Sequence, residues 1–136
     1  MDNQNNLNDP LNQLDNTADF TAQMDPKDIE DNKVMGVLAY LGILVLVPIF
    51  GKKDSPFAQF HANQGLLLFL GSIALVIVIN ILNFVVLSIS DSLFFVSFIL
   101  NALYLAPTVL AILGIVNAAS GKAKELPFIG KFRLIK

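Results

Sequence analysis

Three long apolar stretches dominate the chain, and short polar or charged segments separate them. The uncharged runs cover residues 34–50, 65–90 and 92–121, with only Asp91 between the second and the third. Each run is apolar on every side, and a chain of 136 residues offers no surrounding protein in which to bury such helices. A helix that crosses a bilayer needs about 20 apolar residues. The pattern therefore predicts an all-α integral membrane protein with three transmembrane helices, at about 33–50, 56–90 and 92–120.

The second predicted helix begins before its apolar run. Ser55 followed by Pro56 is typical of a helix cap and first helical position, and Phe57, Phe60 and Gln64 follow at spacings that share one helical face. At about 1.5 Å per residue, a helix over 56–89 is longer than a hydrocarbon core of about 30 Å. We therefore expect its first turns to lie in the membrane interface.

Charge is divided between the two ends of the chain. Eight of the eleven acidic residues precede Lys33 and five of the nine basic residues follow Gly121, so the net charge of −2 gives no reason to expect nucleic-acid binding. Residues 1–32 are polar, without a sustained helical or strand period, and predict a disordered acidic tail. Within it, Asp25 and Pro26 are residue types that begin a helix and allow a short one near 26–32. The transmembrane domain is expected over 33–136, with 121–136 as a basic tail on the membrane surface.

The distribution of lysine and arginine predicts an orientation. Lys52 and Lys53 lie in the first loop and five cations follow the third helix, whereas the second loop has none. Because cytoplasmic segments are enriched in Lys and Arg, we expect the first loop and the C-terminus in the cytoplasm and the N-terminus outside, in the plasma membrane. Lys27 and Lys33, before the first run, are the exceptions to this pattern.

Two groups of polar residues are candidates for function. The first is expected at the cytoplasmic face, either as anchors among lipid headgroups or as a polar site against the basic tail. Its members are His61, Gln64, Asn117, Lys122 and Lys124. The second lies inside the apolar runs and either forms hydrogen bonds between helices or lines a polar path. Its members are Asn80, Asn83, Asn101, Tyr104 and Thr108.

The composition gives little basis for catalysis. The chain has no cysteine and a single histidine, His61, so thiolate metal sites and a cysteine nucleophile are excluded. The apolar runs contain no charged residue, which argues against an ion-coupled transporter. We therefore predict no enzymatic activity, no cofactor and no metal, with the lipid bilayer as the main partner.

Three segments resemble a known family. They read NKVMGVLAYLGILVLVPIF, KKDSPFAQFHANQGLLLF and GIVNAASGKAKELPFIGKFRLIK, and together they extend from Asn32 to Lys136. The chain resembles the Tic-twenty-like family of small bacterial membrane proteins, which are grouped with the chloroplast inner-envelope import component. The residues that carry this likeness are Phe60, His61, Gln64, Gly65, Asn117, Gly121, Lys122 and Pro127.

The resemblance implies a helical membrane fold and a role near protein translocation. With the residues above, it predicts a non-enzymatic component of a membrane complex, assembled from copies of this chain or with a larger partner. The alternative function is a pore or transporter subunit for small solutes or peptides, lined by the second group of polar residues.

Overall fold

Helices account for most of the structure. The computed structural model describes residues 17–135, and within that range it contains no strand beyond one isolated bridge between Asp19 and Lys124. The all-α prediction is therefore confirmed. The α-helices are α1 (Pro26–Leu38), α2 (Leu46–Gly51), α3 (Pro56–Ile89), α4 (Phe94–Ala102) and α5 (Leu105–Ala119). Short 3-10 turns lie at Thr21–Gln23, Gly42–Val45 and Asp91–Leu93.

The longest apolar segments form an antiparallel hairpin. Helix α3 begins where the sequence predicts, because the Ser55 side chain accepts a hydrogen bond from the Ala58 backbone N–H at 3.0 Å and Pro56 fills the first position. The chain turns at Ser90 and returns through α4 and α5, which both pack on α3. Within residues 17–135, Pro56–Ile89 and Asp91–Ala119 are the two helical segments long and apolar enough to cross a membrane, with mean hydropathy values of 2.7 and 2.2.

The first apolar run forms two short helices instead of one. Helix α1 ends at Leu38, and Gly42 adopts a φ of +64°, in the left-handed region that glycine enters without steric cost. The chain reverses there and continues through α2 to Gly51. The prediction of a single helix over 33–50 is therefore wrong, and a third transmembrane helix is not confirmed.

Both ends of residues 26–51 lie at the same end of α3. Near the start of α1, the Asp28 carboxylate accepts a hydrogen bond from the Phe57 backbone N–H at 3.0 Å. At the end of α2, the Gln59 side chain donates to the carbonyl oxygens of Pro48, inside that helix, and Lys52, just after it, at 2.8 and 2.9 Å. Residues 26–51 thus begin and end beside the first turns of α3, and we call them the re-entrant hairpin.

The N-terminal and C-terminal segments meet at this end as well. The Phe20 N–H donates to the Ala123 carbonyl at 2.8 Å, and the Glu125 N–H donates to the Ala18 carbonyl at 2.9 Å. Segments joined in this way lie close together at one end of the molecule, because residues 26–51 return the chain to the end at which they began. The predicted topology with the termini on opposite sides of the membrane gains no support from this arrangement and stays a prediction.

The predicted acidic tail is ordered where the structure describes it. Residues 18–21 lie against the C-terminal segment, and α1 begins at Pro26, with the Asp25 carboxylate accepting from the Lys27 N–H at 3.0 Å. This order arises from a helix cap and from contacts distant in sequence, which composition alone does not reveal. Residues 1–16 of the predicted tail lie outside the described residues.

Candidate functional site

His61 lies at the centre of the end where all these segments meet. Its position in the second turn of α3 turns the imidazole toward the re-entrant hairpin and the C-terminal segment, and the side chain is fully buried. Nδ1 lies 2.7 Å from the Tyr40 hydroxyl and Nε2 lies 2.9 Å from the Lys122 carbonyl oxygen. A carbonyl oxygen only accepts, so Nε2 donates to it, and this arrangement leaves Nδ1 to accept from the hydroxyl. Both ring nitrogens are occupied by the fold.

Aromatic rings enclose the imidazole. The ring centroids of Phe57, Phe60 and Tyr40 lie 4.7, 5.3 and 5.6 Å from that of His61, and each ring meets it edge-on. Such edge-to-face contacts stabilise a ring in one orientation. His61 therefore joins the re-entrant hairpin, α3 and the C-terminal segment, and its side chain is fully buried.

Gln64 and Asn63 hold the backbone of the C-terminal tail. The Gln64 amide accepts from the Leu126 N–H at 2.9 Å and donates to the Gly130 carbonyl at 3.0 Å. The Asn63 amide donates to the Phe132 carbonyl at 2.8 Å and accepts from the Leu134 N–H at 2.6 Å. Because these side chains are buried, each bond satisfies a group that would otherwise be costly to desolvate.

The remaining candidates of the first group contribute mainly through their backbones. The Lys122 N–H donates to the Asn117 carbonyl at 2.8 Å, and the Lys122 side chain is exposed. Lys124 is half-buried and forms the bridge with Asp19. The structure therefore brings His61, Gln64 and residues 117–124 together, and a functional role for them stays a prediction.

The polar residues of the second group lie between α3 and the returning helices. The Asn83 amide donates to the Asn101 side-chain oxygen at 3.4 Å, and the Asn80 amide donates to the Tyr104 hydroxyl at 3.5 Å. Thr108 instead donates to a carbonyl of its own helical segment, that of Tyr104, at 3.0 Å. This geometry supports hydrogen bonding between helices, one of the two interpretations of these residues.

Several residues of this region have no simple sequence signal. Arg133 donates to the Glu125 carboxylate at 2.6 Å, and its guanidinium lies 5.7 and 5.6 Å from the ring centroids of Phe20 and Phe60. Phe20 and Phe60 are far from Arg133 in the chain, and Glu125, eight residues before it, is not at a helical spacing, so no local pattern relates them. For Tyr40, the one available signal is a hydroxyl in an otherwise apolar run.

The region carries charge but no grouped metal ligands. The hydroxyl and backbone N–H of Thr21 donate to Asp19, and with nearby Lys124 and Lys122 they lower the pKa of this carboxyl below its usual range. Over residues 17–135, no three His, Cys, Asp or Glu side chains are placed to hold a metal ion.

Named relatives match one part of the chain. The magnetosome protein MamF of Paramagnetospirillum magneticum and that of Magnetospirillum gryphiswaldense are each 45% identical to it over 40 residues. The matched segment is 29% of this chain and 36% of each relative, so the chain spans about a third of the length of these curated proteins. No solved structure matches the chain.

A family match covers far more of the sequence. Residues 31–133 match the magnetosome magnetite crystal formation protein family, a range that includes α2 to α5, most of α1 and nearly all of the tail. The residues on which the Tic-twenty-like resemblance rests, from Phe60 to Pro127, all lie inside this range, so that assignment is wrong. The chain belongs to the magnetosome magnetite crystal formation protein family.

Proposed function

We propose that this chain is a non-enzymatic component of the magnetosome membrane that takes part in magnetite crystal formation. The observation that carries the proposal is the family match over residues 31–133. This range includes His61 with its hydrogen-bond partners, here called the His61 centre, and the antiparallel hairpin of α3, α4 and α5. The chemistry of the centre agrees with it, because the His61, Gln64 and Asn63 side chains are buried and hydrogen-bonded to other parts of the chain. Such groups stabilise an arrangement rather than act on a substrate.

Deletion of the gene in its own organism tests this function. We expect smaller or irregular magnetite crystals in electron micrographs of the deletion strain, at unchanged total cellular iron, because the defect lies in crystal formation rather than in iron supply. Restoring the wild-type gene at a second locus is the control. A host that makes no magnetite, or crystals of unchanged size and shape, would contradict the proposal.

The topology that fits this fold has two membrane crossings. We propose that α3 and the α4–α5 segment cross the bilayer, and that the re-entrant hairpin enters and leaves from the side of the termini. This places the eight Lys and Arg residues of the described range 17–135 on one face, including Lys27 and Lys33, which oppose a three-helix topology. By the preference of cations for the cytoplasmic side, that face is cytoplasmic. The far side then presents a short loop around Asp91.

Cysteine labelling of isolated magnetosomes tests this topology. The chain has no cysteine, so Thr17→Cys, Lys53→Cys and Asp91→Cys can each carry a single reactive thiol. We expect a membrane-impermeant maleimide to label the first two variants at once and the Asp91 variant only after detergent is added. If the maleimide labels Lys53→Cys but not Thr17→Cys, the result would contradict this proposal and support the topology with the two termini on opposite sides of the membrane.

We also propose that the antiparallel hairpin of α3, α4 and α5 associates with other helices, in copies of this chain or in a larger complex. Asn80 and Asn101 are exposed on its surface, and amides in contact with hydrocarbon are costly. Large apolar side chains such as Phe84 and Phe98 are 76% and 77% exposed on the same helices. The alternative of a pore or transporter subunit gains no support from this geometry, because Asn83 and Asn101 bond to each other between the helices.

A further inference from the structure

Residues 17–21 lie over the C-terminal tail, and we call them the strap. The Ala18 carbonyl and the Phe20 N–H bond to the backbone of Glu125 and Ala123, at 2.9 and 2.8 Å. The Ala123 N–H also donates to the Thr21 hydroxyl at 2.9 Å. The Phe20 ring packs on Phe60, with 5.8 Å between centroids. Beyond this ring the strap contributes no large apolar side chain, so polar contacts hold most of it in place.

The surface beneath the strap carries Lys122, Lys124 and Arg133 against a single carboxylate, that of Glu125, which pairs with Arg133 at 2.6 Å. Asp19 lies near Lys124 and Lys122, and its ionised carboxylate partly neutralises them. The Arg133 guanidinium lies against the Phe20 ring, 5.7 Å from its centroid. If the strap leaves, the lysines lose a negative neighbour and one face of the guanidinium is uncovered. The uncovered surface would then attract another anion.

The tail holds this surface at the level of the lipid headgroups. Phe128, Phe132 and Leu134 are 82%, 62% and 50% exposed, so these side chains extend away from the protein. In a membrane protein, apolar side chains next to a polar surface lie at the boundary between headgroups and acyl chains. A lipid phosphate at that level is negatively charged, as the Asp19 carboxylate is, and it can accept hydrogen bonds from lysine and arginine side chains.

We propose that anionic lipid displaces the strap, and that Lys122, Lys124 and the uncovered face of the Arg133 guanidinium then bind lipid phosphate headgroups. Asp19 and a headgroup compete for the same cations, so the position of the strap depends on the charge of the adjoining leaflet. Three further acidic residues precede the strap in the sequence, at positions 2, 9 and 15. An anionic leaflet repels such a segment, which favours the displaced state. The proposal requires a membrane at this face and is independent of any effect on magnetite.

Distance measurements on the full chain test the displacement. Spin labels at Thr17→Cys and Ser120→Cys report the position of the strap in vesicles of phosphatidylcholine with an increasing fraction of phosphatidylglycerol. We expect one short distance in pure phosphatidylcholine and a second, longer distance that grows with the anionic fraction. Asp19→Asn removes the competing charge and is expected to shift the transition to a lower anionic fraction. Asp54→Asn, an acidic residue outside the strap, should leave the transition in place.

Three results would overturn the proposal. The first is a strap distance that does not change with lipid charge, and the second is a strap already displaced in pure phosphatidylcholine. The third is equal displacement by inorganic phosphate added to neutral vesicles, which would assign the site to free phosphate rather than to lipid. A reference pair at Lys53→Cys and Ser120→Cys must keep its distance in every vesicle, which separates movement of the strap from loss of the fold.

Discussion

Gly65→Ala is expected to prevent the re-entrant hairpin from packing against α3. A Cβ atom at position 65 would lie 1.8 Å from the carbonyl oxygen of Ala39 and 2.6 Å from its carbon. Both atoms belong to the backbone at the end of α1, so no side-chain rotation relieves the overlap. Overpacking a filled core typically costs about 1–3 kcal/mol, and a backbone overlap this close places the expected loss at or above about 3 kcal/mol.

A matched glycine on the same helix provides the control. Gly71 also lies in α3, and a Cβ there meets nothing within 4 Å. Gly71→Ala should therefore keep or slightly raise stability, since alanine favours helices over glycine by about 1 kcal/mol. Unfolding of the purified variants in mixed detergent micelles measures both effects. Equal stability of the two variants would show that α1 does not approach Gly65 this closely.

His61→Ala is expected to cost about 3–5 kcal/mol of unfolding free energy. The change removes a buried ring that three aromatic side chains enclose, and deleting such a side chain leaves a cavity. It also leaves the Tyr40 hydroxyl and the Lys122 carbonyl without the partners they have at 2.7 and 2.9 Å. An unpaired buried polar group costs about 1–3 kcal/mol by itself.

Tyr40→Phe separates the hydrogen bond from the packing. The variant keeps the aromatic ring that packs against Gly114 and removes only the hydroxyl. We therefore expect the unfolding free energy to fall by about 1–2 kcal/mol. The double variant should lose less than the sum of the two, because both single changes break the same bond. Denaturant titration of all three variants gives this coupling. If His61→Ala unfolds like the wild type and yet fails to restore crystal growth in the deletion strain, the histidine has a direct functional role instead.

The sequence predicts the long hairpin well because its signals are local. Ser55 and Pro56 mark the start of α3, and Ser90 to Ser92 interrupt an otherwise continuous apolar region. The first run carries no equivalent signal. Seventeen uncharged residues have the same hydropathy whether they cross a bilayer or turn back within it. The path is decided at Gly42 and by the contact of Asp28 with the start of α3, and the second of these is a long-range feature.

The sequence predicts which side chains form the candidate site, but it does not predict the atoms to which they are hydrogen-bonded. The helical spacing of His61 and Gln64 places both on one face, and the basic tail was expected nearby. Their partners are mostly backbone atoms, such as the carbonyl oxygens of Lys122 and Gly130. Every residue has such atoms, so only the path of the tail selects which ones are used. The strap adds a contact between residues about a hundred positions apart, which no single sequence reveals.

The re-entrant hairpin also gives the molecule unequal cross-sections. At one end of α3, its beginning is surrounded by α1, α2, α5 and the tail, whereas within residues 17–135 its other end is accompanied by α4 and the turn at Asp91–Leu93. A body of this form is a wedge. In the topology proposed above, its wide end would lie in the cytoplasmic leaflet, where such a wedge fits a membrane that bulges toward the cytoplasm, as the wall of a small vesicle does.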